Sequence, residues 1–318
     1  MDVILNFLRL TEAEREAFRS AAPTAEHLFR PVEDQTKSAT TATPEELSRA
    51  AVVIGNPAPA ALAGCENLKW LQTWSAGVDP YLAPGILPEG CVLTSAVGSY
   101  GPAVSEHMLA TTLALMKRLP AFRDCQREGR WSDTRSVLSF QGATVLLLGT
   151  GDIGSHFARL AKALGARTVG LNRHPDRPVE GMDELHPLAD LDQWLPRADV
   201  VAMSLPSTPE TRHLMDARRL GLMKETAILV NAGRGDGVDC LALAETLKAG
   251  RLWGAALDVT EPEPLPEGHP LWDCPNLLLT PHTAGGDRMD ATVRRIAALA
   301  LENLKRYLAG EDLRNRMR

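Results

Sequence analysis

The chain has 318 residues, is 44% hydrophobic and carries a net charge of −6, with a pI near 5.8. It is longer than one average domain, and its acidic balance argues against nucleic acid or anionic membrane as a partner. No apolar stretch reaches about 18 residues, so no membrane span is expected.

The N-terminal run Met1-Asp2-Val3-Ile4-Leu5-Asn6 lacks the basic and long apolar regions of a signal peptide. Residues 1–97 then alternate short apolar runs with helical stretches. Candidate strands are Val3–Leu8, Ala51–Gly55, Trp70–Thr73 and Val92–Thr94, with helical patterns at Thr11–Ser20, Pro44–Arg49 and Pro57–Ala63. This is the pattern of a small α/β unit. After Tyr100-Gly101-Pro102 a helical pattern runs from Ala103 to Met116, and Pro120 interrupts it. It is apolar on most sides, as a helix buried between domains or subunits is.

From Gly142 the alternation is regular, with strands at Thr144–Leu148, Thr168–Leu171, Val200–Met203, Ile228–Asn231, Gly254–Val259 and Leu277–Thr280. Short strands with helical crossovers predict a mostly parallel, doubly wound sheet. The proline-rich stretch 261–270 fits neither helix nor central strand. It is expected as a stiff loop beyond a carboxyl strand end, where open α/β sheets bind ligands. A final amphipathic helix is predicted over Asp287 to Leu308. Cys65, Cys91, Cys125, Cys240 and Cys274 are scattered without metal-ligand spacing, which predicts reduced cytoplasmic thiols and no metal site.

Residues 149–154, Gly-Thr-Gly-Asp-Ile-Gly, directly follow the first strand of the regular region and precede a helical pattern. Gly149 permits a tight turn, Gly151 lets a pyrophosphate approach the backbone, and Gly154 lets helix and strand pack closely. Free N–H groups and the helix dipole then face the phosphates. Gly149, Thr150, Gly151, Asp152, Ile153 and Gly154 are therefore candidate dinucleotide contacts. The next strand ends Leu171-Asn172-Arg173-His174, with no acid at its tip for the ribose hydroxyls of NAD. Asn172 is neutral, and Arg173 either meets a 2′-phosphate or points into solvent. NADP(H) is the expected preference, with NAD possible; Asp176, in the following loop, is a weaker ribose candidate.

Three further groups follow consecutive strands. Arg234 stands in Asn231-Ala232-Gly233-Arg234-Gly235, Glu263 in the proline-rich loop, and His282 in Thr280-Pro281-His282. Alone, each also fits a bland role: a surface cation, a solvated carboxylate, a capping histidine. Together they supply a chemistry. A guanidinium fork grips a carboxylate at two points, a histidine donates a proton near neutral pH, and a carboxylate beside it favours the imidazolium.

These segments resemble the D-isomer-specific 2-hydroxyacid dehydrogenases over nearly the whole chain. The resemblance rests on the glycine turn, Leu205-Pro206 with Thr208-Pro209-Glu210-Thr211, Val230 to Gly235, Ala256-Leu257-Asp258-Val259 with Glu263-Pro264-Leu265-Pro266, and Thr280-Pro281-His282. It implies a Rossmann nucleotide domain, 98–286, inserted into a smaller flavodoxin-like substrate domain, 1–97 plus 287–318. It implies Arg234, Glu263 and His282 as catalytic residues, with Glu261 as the competing carboxylate. Leu205, Pro206 and Thr211 would hold cofactor. Asp258 would meet the nicotinamide carboxamide, or else make a structural hydrogen bond. Ala76, Gly77 and Val78, in Ser75-Ala76-Gly77-Val78-Asp79, would bind the substrate carboxylate together with Arg234. The expected activity is hydride transfer between NAD(P)H and a small 2-oxo acid, of the glyoxylate or hydroxypyruvate reductase kind, in a homodimer whose two domains close on the substrate. Trp74, Tyr81, Tyr100 and Trp131 are either pocket lining or core. The competing functions are a catalytically silent dinucleotide-sensing protein and a phosphoglycerate dehydrogenase-like enzyme.

Overall fold

The computed structural model describes residues 2–32, 41–132, 136–285 and 289–318. The chain divides into two units, Met1–Tyr100 with Gly286–Arg318, and Gly101–Gly285. The expected return of the chain at 286–287, and with it the expected start of the final helix at Asp287, lies outside the described residues.

The first unit contains β1 (Val3–Asn6), α1 (Glu12–Ala21), β2 (Glu26–Phe29), α2 (Pro44–Arg49), β3 (Ala50–Ile54), α3 (Pro59–Leu62), β4 (Trp70–Gln72) and β5 (Val92–Thr94). The strands are parallel in the order β2-β1-β3-β4-β5, which is the flavodoxin-like order. Strand β3 is buried at every position, as a parallel strand covered on both faces must be. Helices α1 and α2 each start on a capping box, Thr11 with Glu14 and Thr43 with Glu46, which satisfies N–H groups the helix leaves orphaned. The sequence pattern missed β2. Its residues, Glu-His-Leu-Phe, are all half-buried, so an edge strand shows no apolar alternation.

The second unit contains α4 (Gly101–Met116), α5 (Leu119–Arg127), β6 (Thr144–Leu148), α6 (Asp152–Ala163), β7 (Arg167–Asn172), β8 (Glu184–Pro187), α7 (Leu191–Trp194), β9 (Val200–Met203), α8 (Ala217–Leu220), β10 (Ile228–Asn231), α9 (Cys240–Lys248), β11 (Gly254–Leu257) and β12 (Leu277–Leu279). Its parallel sheet runs β12-β11-β10-β9-β6-β7-β8. Strand order reverses between β6 and β9, which is where a doubly wound sheet opens a ligand crevice. Strand β8 is a second edge strand that the pattern missed, for the same reason. Pro120 does not merely interrupt a helix: it sits in the first turn of α5, after Arg118 in left-handed backbone. Helix α4 packs on α6, β10 and β11, so much of its apolar surface is used within its own unit. Helix α10 (Asp290–Ala309) belongs to the first unit, where Ile296, Ala300 and Leu304 join the core around Trp70 and Phe7.

A Cβ on Gly154 would lie 2.0 Å from the Gly149 carbonyl oxygen. Backbone cannot yield there as a flexible side chain would. Gly154→Ala is expected to destabilise the second unit by about 1–3 kcal/mol, measured by thermal unfolding of the purified variant against the parent.

Candidate active site

The glycine turn is built as its spacing requires. Gly149 has φ +95°, and a Cβ there would stand 3.1 Å from the Ser204 carbonyl oxygen. Gly151 differs: nothing lies within 4 Å of its missing side chain. Gly151 is also the N-cap of α6, and no side chain caps that helix. Asp152 is turned to another task, accepting the Gly101 N–H at 2.7 Å. Uncapped first-turn N–H groups in front of an open space fit a pyrophosphate. Ile153 is half-buried behind the turn. Thr150 accepts from Asn172 Nδ2 at 2.7 Å, which joins the turn to the end of β7. Arg173 and His174 are exposed just beyond. Glu210 lies in range of Arg173: hydrogen bonding from Thr208 first, and the Arg173 charge after it, hold the Glu210 carboxyl below the usual range.

Leu205 and Pro206 lie in the loop after β9. Thr211 is buried, and its hydroxyl donates to the Pro206 carbonyl at 2.7 Å while accepting the Thr208 N–H at 2.9 Å. It braces that loop from inside.

Arg234, Glu263 and His282 follow β10, β11 and β12, which are neighbours in the sheet. All three therefore stand at one end of it. His282 Nδ1 meets Glu263 Oε1 at 2.7 Å. Glu261 is engaged elsewhere, with Arg212 and His213, so Glu263 is the carboxylate on the histidine. Arg234 is half-buried, with Nη1 donating to the Gly233 carbonyl at 3.0 Å. The glycines beside it are close-approach positions. A Cβ on Gly233 would lie 2.8 Å from the Leu205 carbonyl oxygen, and one on Gly235 2.0 Å from that of Thr260.

The first unit holds the Ser75–Val78 loop. Asn56 accepts the Trp74 N–H at 2.9 Å and donates to Ser75 Oγ at 2.8 Å, and Ser75 Oγ donates to the Gly77 carbonyl at 2.6 Å. Ala76 and Gly77 are half-buried and Val78 is buried. Trp74 and Tyr81 are core residues of this unit. Tyr100 is half-buried, with its hydroxyl on the Trp74 carbonyl. Trp131 is fully exposed.

A family model described as D-isomer specific 2-hydroxyacid dehydrogenase, NAD binding domain, matches residues 109–284. The chain is 35% identical to a glyoxylate reductase of Thermofilum pendens, over 77% of this chain and 73% of that protein. It is similar to the crystal structure of a D-isomer specific 2-hydroxyacid dehydrogenase family protein from Aeromonas salmonicida, with 31% identity and a TM-score of 0.85 over 100% of this chain and 99% of that one. A D-isomer specific 2-hydroxyacid dehydrogenase from Xanthobacter autotrophicus, solved in complex with NADPH and MES, is 30% identical with a TM-score of 0.80, over 100% and 98% of the two chains. The chain belongs to the D-isomer specific 2-hydroxyacid dehydrogenases. It is an oxidoreductase with a Rossmann domain for a nicotinamide dinucleotide.

In this dehydrogenase the sequence reading named Asp258 but gave no role to Asn231 or His107, which also lie behind the candidate side chains. Asn231 is buried at the end of β10 and spans the arginine loop, donating to the Arg234 carbonyl at 2.9 Å and accepting the Gly233 N–H at 3.0 Å. Asp258, also buried, accepts from Thr280 Oγ1 at 2.6 Å and from the N–H groups of Thr283 and Ala284 at 2.9 and 3.0 Å. Its carbonyl takes the His282 N–H at 2.8 Å. His107 Nε2 lies 3.1 Å from Thr280 Oγ1. A polar residue closing an apolar strand was the available signal for Asn231, as it was for Asp258, whose structural hydrogen bonds were one of the two expected roles; His107 carried none beyond its helical position.

Proposed function

We propose that the enzyme reduces small 2-oxo acids to D-2-hydroxy acids, using Arg234, Glu263 and His282. The observation that carries this is the 2.7 Å contact of His282 Nδ1 with Glu263, at the sheet end that also carries Arg234. A bound nicotinamide dinucleotide supplies the hydride. Glu263 holds the Nδ1–H, fixes the ring and stabilises the imidazolium. The transferable proton then sits on Nε2, and His282 gives it to the carbonyl oxygen as negative charge develops there. Arg234 grips the substrate carboxylate in two-point fashion; in the first unit, the backbone of Ala76, Gly77 and Val78 is the second candidate for binding a carboxylate. Glyoxylate, hydroxypyruvate and larger analogues are the substrate class.

The cofactor is held by the Gly149–Gly154 turn, by the Leu205-Pro206 loop braced by Thr211, and by Asn172 and Arg173. The second oxygen of Asp258, Oδ2, takes one hydrogen bond in the structure and has acceptor capacity for the carboxamide. NADPH is the preferred form, because the tip of β7 offers Arg173 and no acid. A homodimer is supported by the exposed apolar side chains of Leu119, Phe122 and Trp131. A reducing compartment such as the cytoplasm is supported by five unpaired, buried cysteines. No described helix is long and apolar enough to cross a membrane.

NADPH oxidation should be followed over 2-oxo acids of graded size. Turnover of at least one is expected; none at all would instead favour a catalytically silent dinucleotide-binding protein. His282→Ala should lose about 10²–10⁴-fold in kcat while binding cofactor normally; native turnover in that variant would remove the histidine from the mechanism. Arg234→Ala should raise KM for the 2-oxo acid by roughly 10- to 100-fold, the worth of hydrogen bonds to a charged group, and an unchanged KM would contradict its role. Native kcat/KM should favour NADPH over NADH, and Arg173→Ala should cut that ratio by about tenfold or more; steady-state kinetics with both cofactors decides it.

A further inference from the structure

We propose that Glu261 is a positioning residue: its carboxylate, gripped by Arg212 and His213, holds the proline-rich loop so that Glu263 stays against His282. The proposal rests on the assignment of Glu263 and His282 as the proton-transfer pair.

Glu261 Oε1 takes Arg212 Nη2 at 2.6 Å, and Oε2 meets His213 Nε2 at 2.6 Å. Both donors are consecutive residues of the loop after β9. That loop is fastened in turn to the loop after β10. The His213 N–H donates to the Asp236 carbonyl at 2.6 Å and the Met215 N–H to that of Gly237 at 3.0 Å, while Ser207 Oγ donates to Asp236 Oδ2 at 2.5 Å. His213 has φ +47°, a region that non-glycine residues enter only when their surroundings over-determine it. In that conformation its ring meets Glu261.

Beyond Glu261, Pro262, Glu263 and Pro264 are exposed, and Leu265 then packs against the core of the second unit. Downstream it is caught again where Trp272 Nε1 donates to the Pro266 carbonyl at 2.9 Å. Within the span, Thr260 Oγ1 holds the Pro262 carbonyl at 2.9 Å. Glu263 thus rides on a strap fastened on one side at Glu261 and on the other at Leu265 and Pro266. An exposed carboxylate–imidazole pair is worth little by itself and cannot align its own loop. Two donors from consecutive residues, one of them a guanidinium, meet the two oxygens of the Glu261 carboxylate and fix its direction as well as its distance.

The test compares E261Q, R212Q and E263Q, with E261Q/E263Q closing a double-mutant cycle. With the 2-oxo acid that the native enzyme turns over, E261Q should lower kcat about tenfold, less than the ~10²–10⁴-fold that a general acid supplies. KM for NADPH and Tm should stay native, and E261Q should add no further loss in the E263Q background. The second readout needs no turnover. The Nδ1–H proton resonance of His282, assigned by its loss in H282A, should be sharp in the native protein, absent in E263Q and broadened in E261Q and R212Q. An unchanged His282 signal and native kcat in E261Q would overturn the proposal, as would losses from E261Q and E263Q that multiply in full. A broadened signal in a protein whose H282A variant keeps native turnover would leave the strap standing and remove the catalytic assignment instead.

Discussion

The buried carboxylate of Asp258 is the point on which the active end of the second unit turns. A carboxylate removed from water must find donors or lose its charge, and this one finds three: the Thr280 hydroxyl and the N–H groups of Thr283 and Ala284. Those donors flank His282 on both sides. The Asp258 carbonyl then takes the His282 N–H, so the histidine is tied to one residue of β11's end through its own backbone and through its neighbours. This explains how His282 keeps φ +48°, a conformation that is uncommon without a glycine. The side chain is aimed by backbone bonds before Glu263 touches it.

The parallel sheet does the rest of the gathering. Residues 234, 263 and 282 are far apart in the chain, but β10, β11 and β12 lie side by side and point the same way. Loops leaving such strands have no choice of end. What the sheet does not determine is where, within each loop, a side chain faces. Asn231 settles that for Arg234, with Gly233 and Gly235 letting the loop press against the backbone of Leu205 and Thr260. The arrangement of the three side chains therefore depends on a layer of polar braces behind them.

That layer marks the limit of what could be read from the chain. The glycine turn was legible because each glycine answers a local steric demand, and the structure shows those demands at Gly149 and Gly154. The central strands were legible because burial on both faces leaves an unbroken apolar run. Strands β2 and β8 were not, since an edge strand with no buried residue and mixed polar and apolar side chains has no such signature. The choice between Glu261 and Glu263 turned on a proline motif in the sequence. In the structure it turns on partners 48 and 49 residues away from Glu261, a separation no periodicity records. Trp131, ambiguous from composition, proved fully exposed, whereas Trp74 entered the core of the first unit.

One weak strand gains a reason from its neighbour. Gly-Ala-Ala-Leu in β11 is a poor β-former by propensity, with little side chain to pack. Helix α4 lies against this strand. A Cβ on Gly254 would already stand 3.2 Å from Leu115 Cδ2 and 2.7 Å from the Asn276 carbonyl oxygen. Larger residues would push the helix outward. With it would go His107, which lines a small cleft with Ala256, Asp258 and Thr280 and sets its Nε2 on the Thr280 hydroxyl. That hydroxyl is the one Asp258 accepts. The small residues of β11 thus trade local strand preference for a helix close enough to complete the polar chain behind the histidine, a conflict between levels of the kind expected where a site overrides local structure.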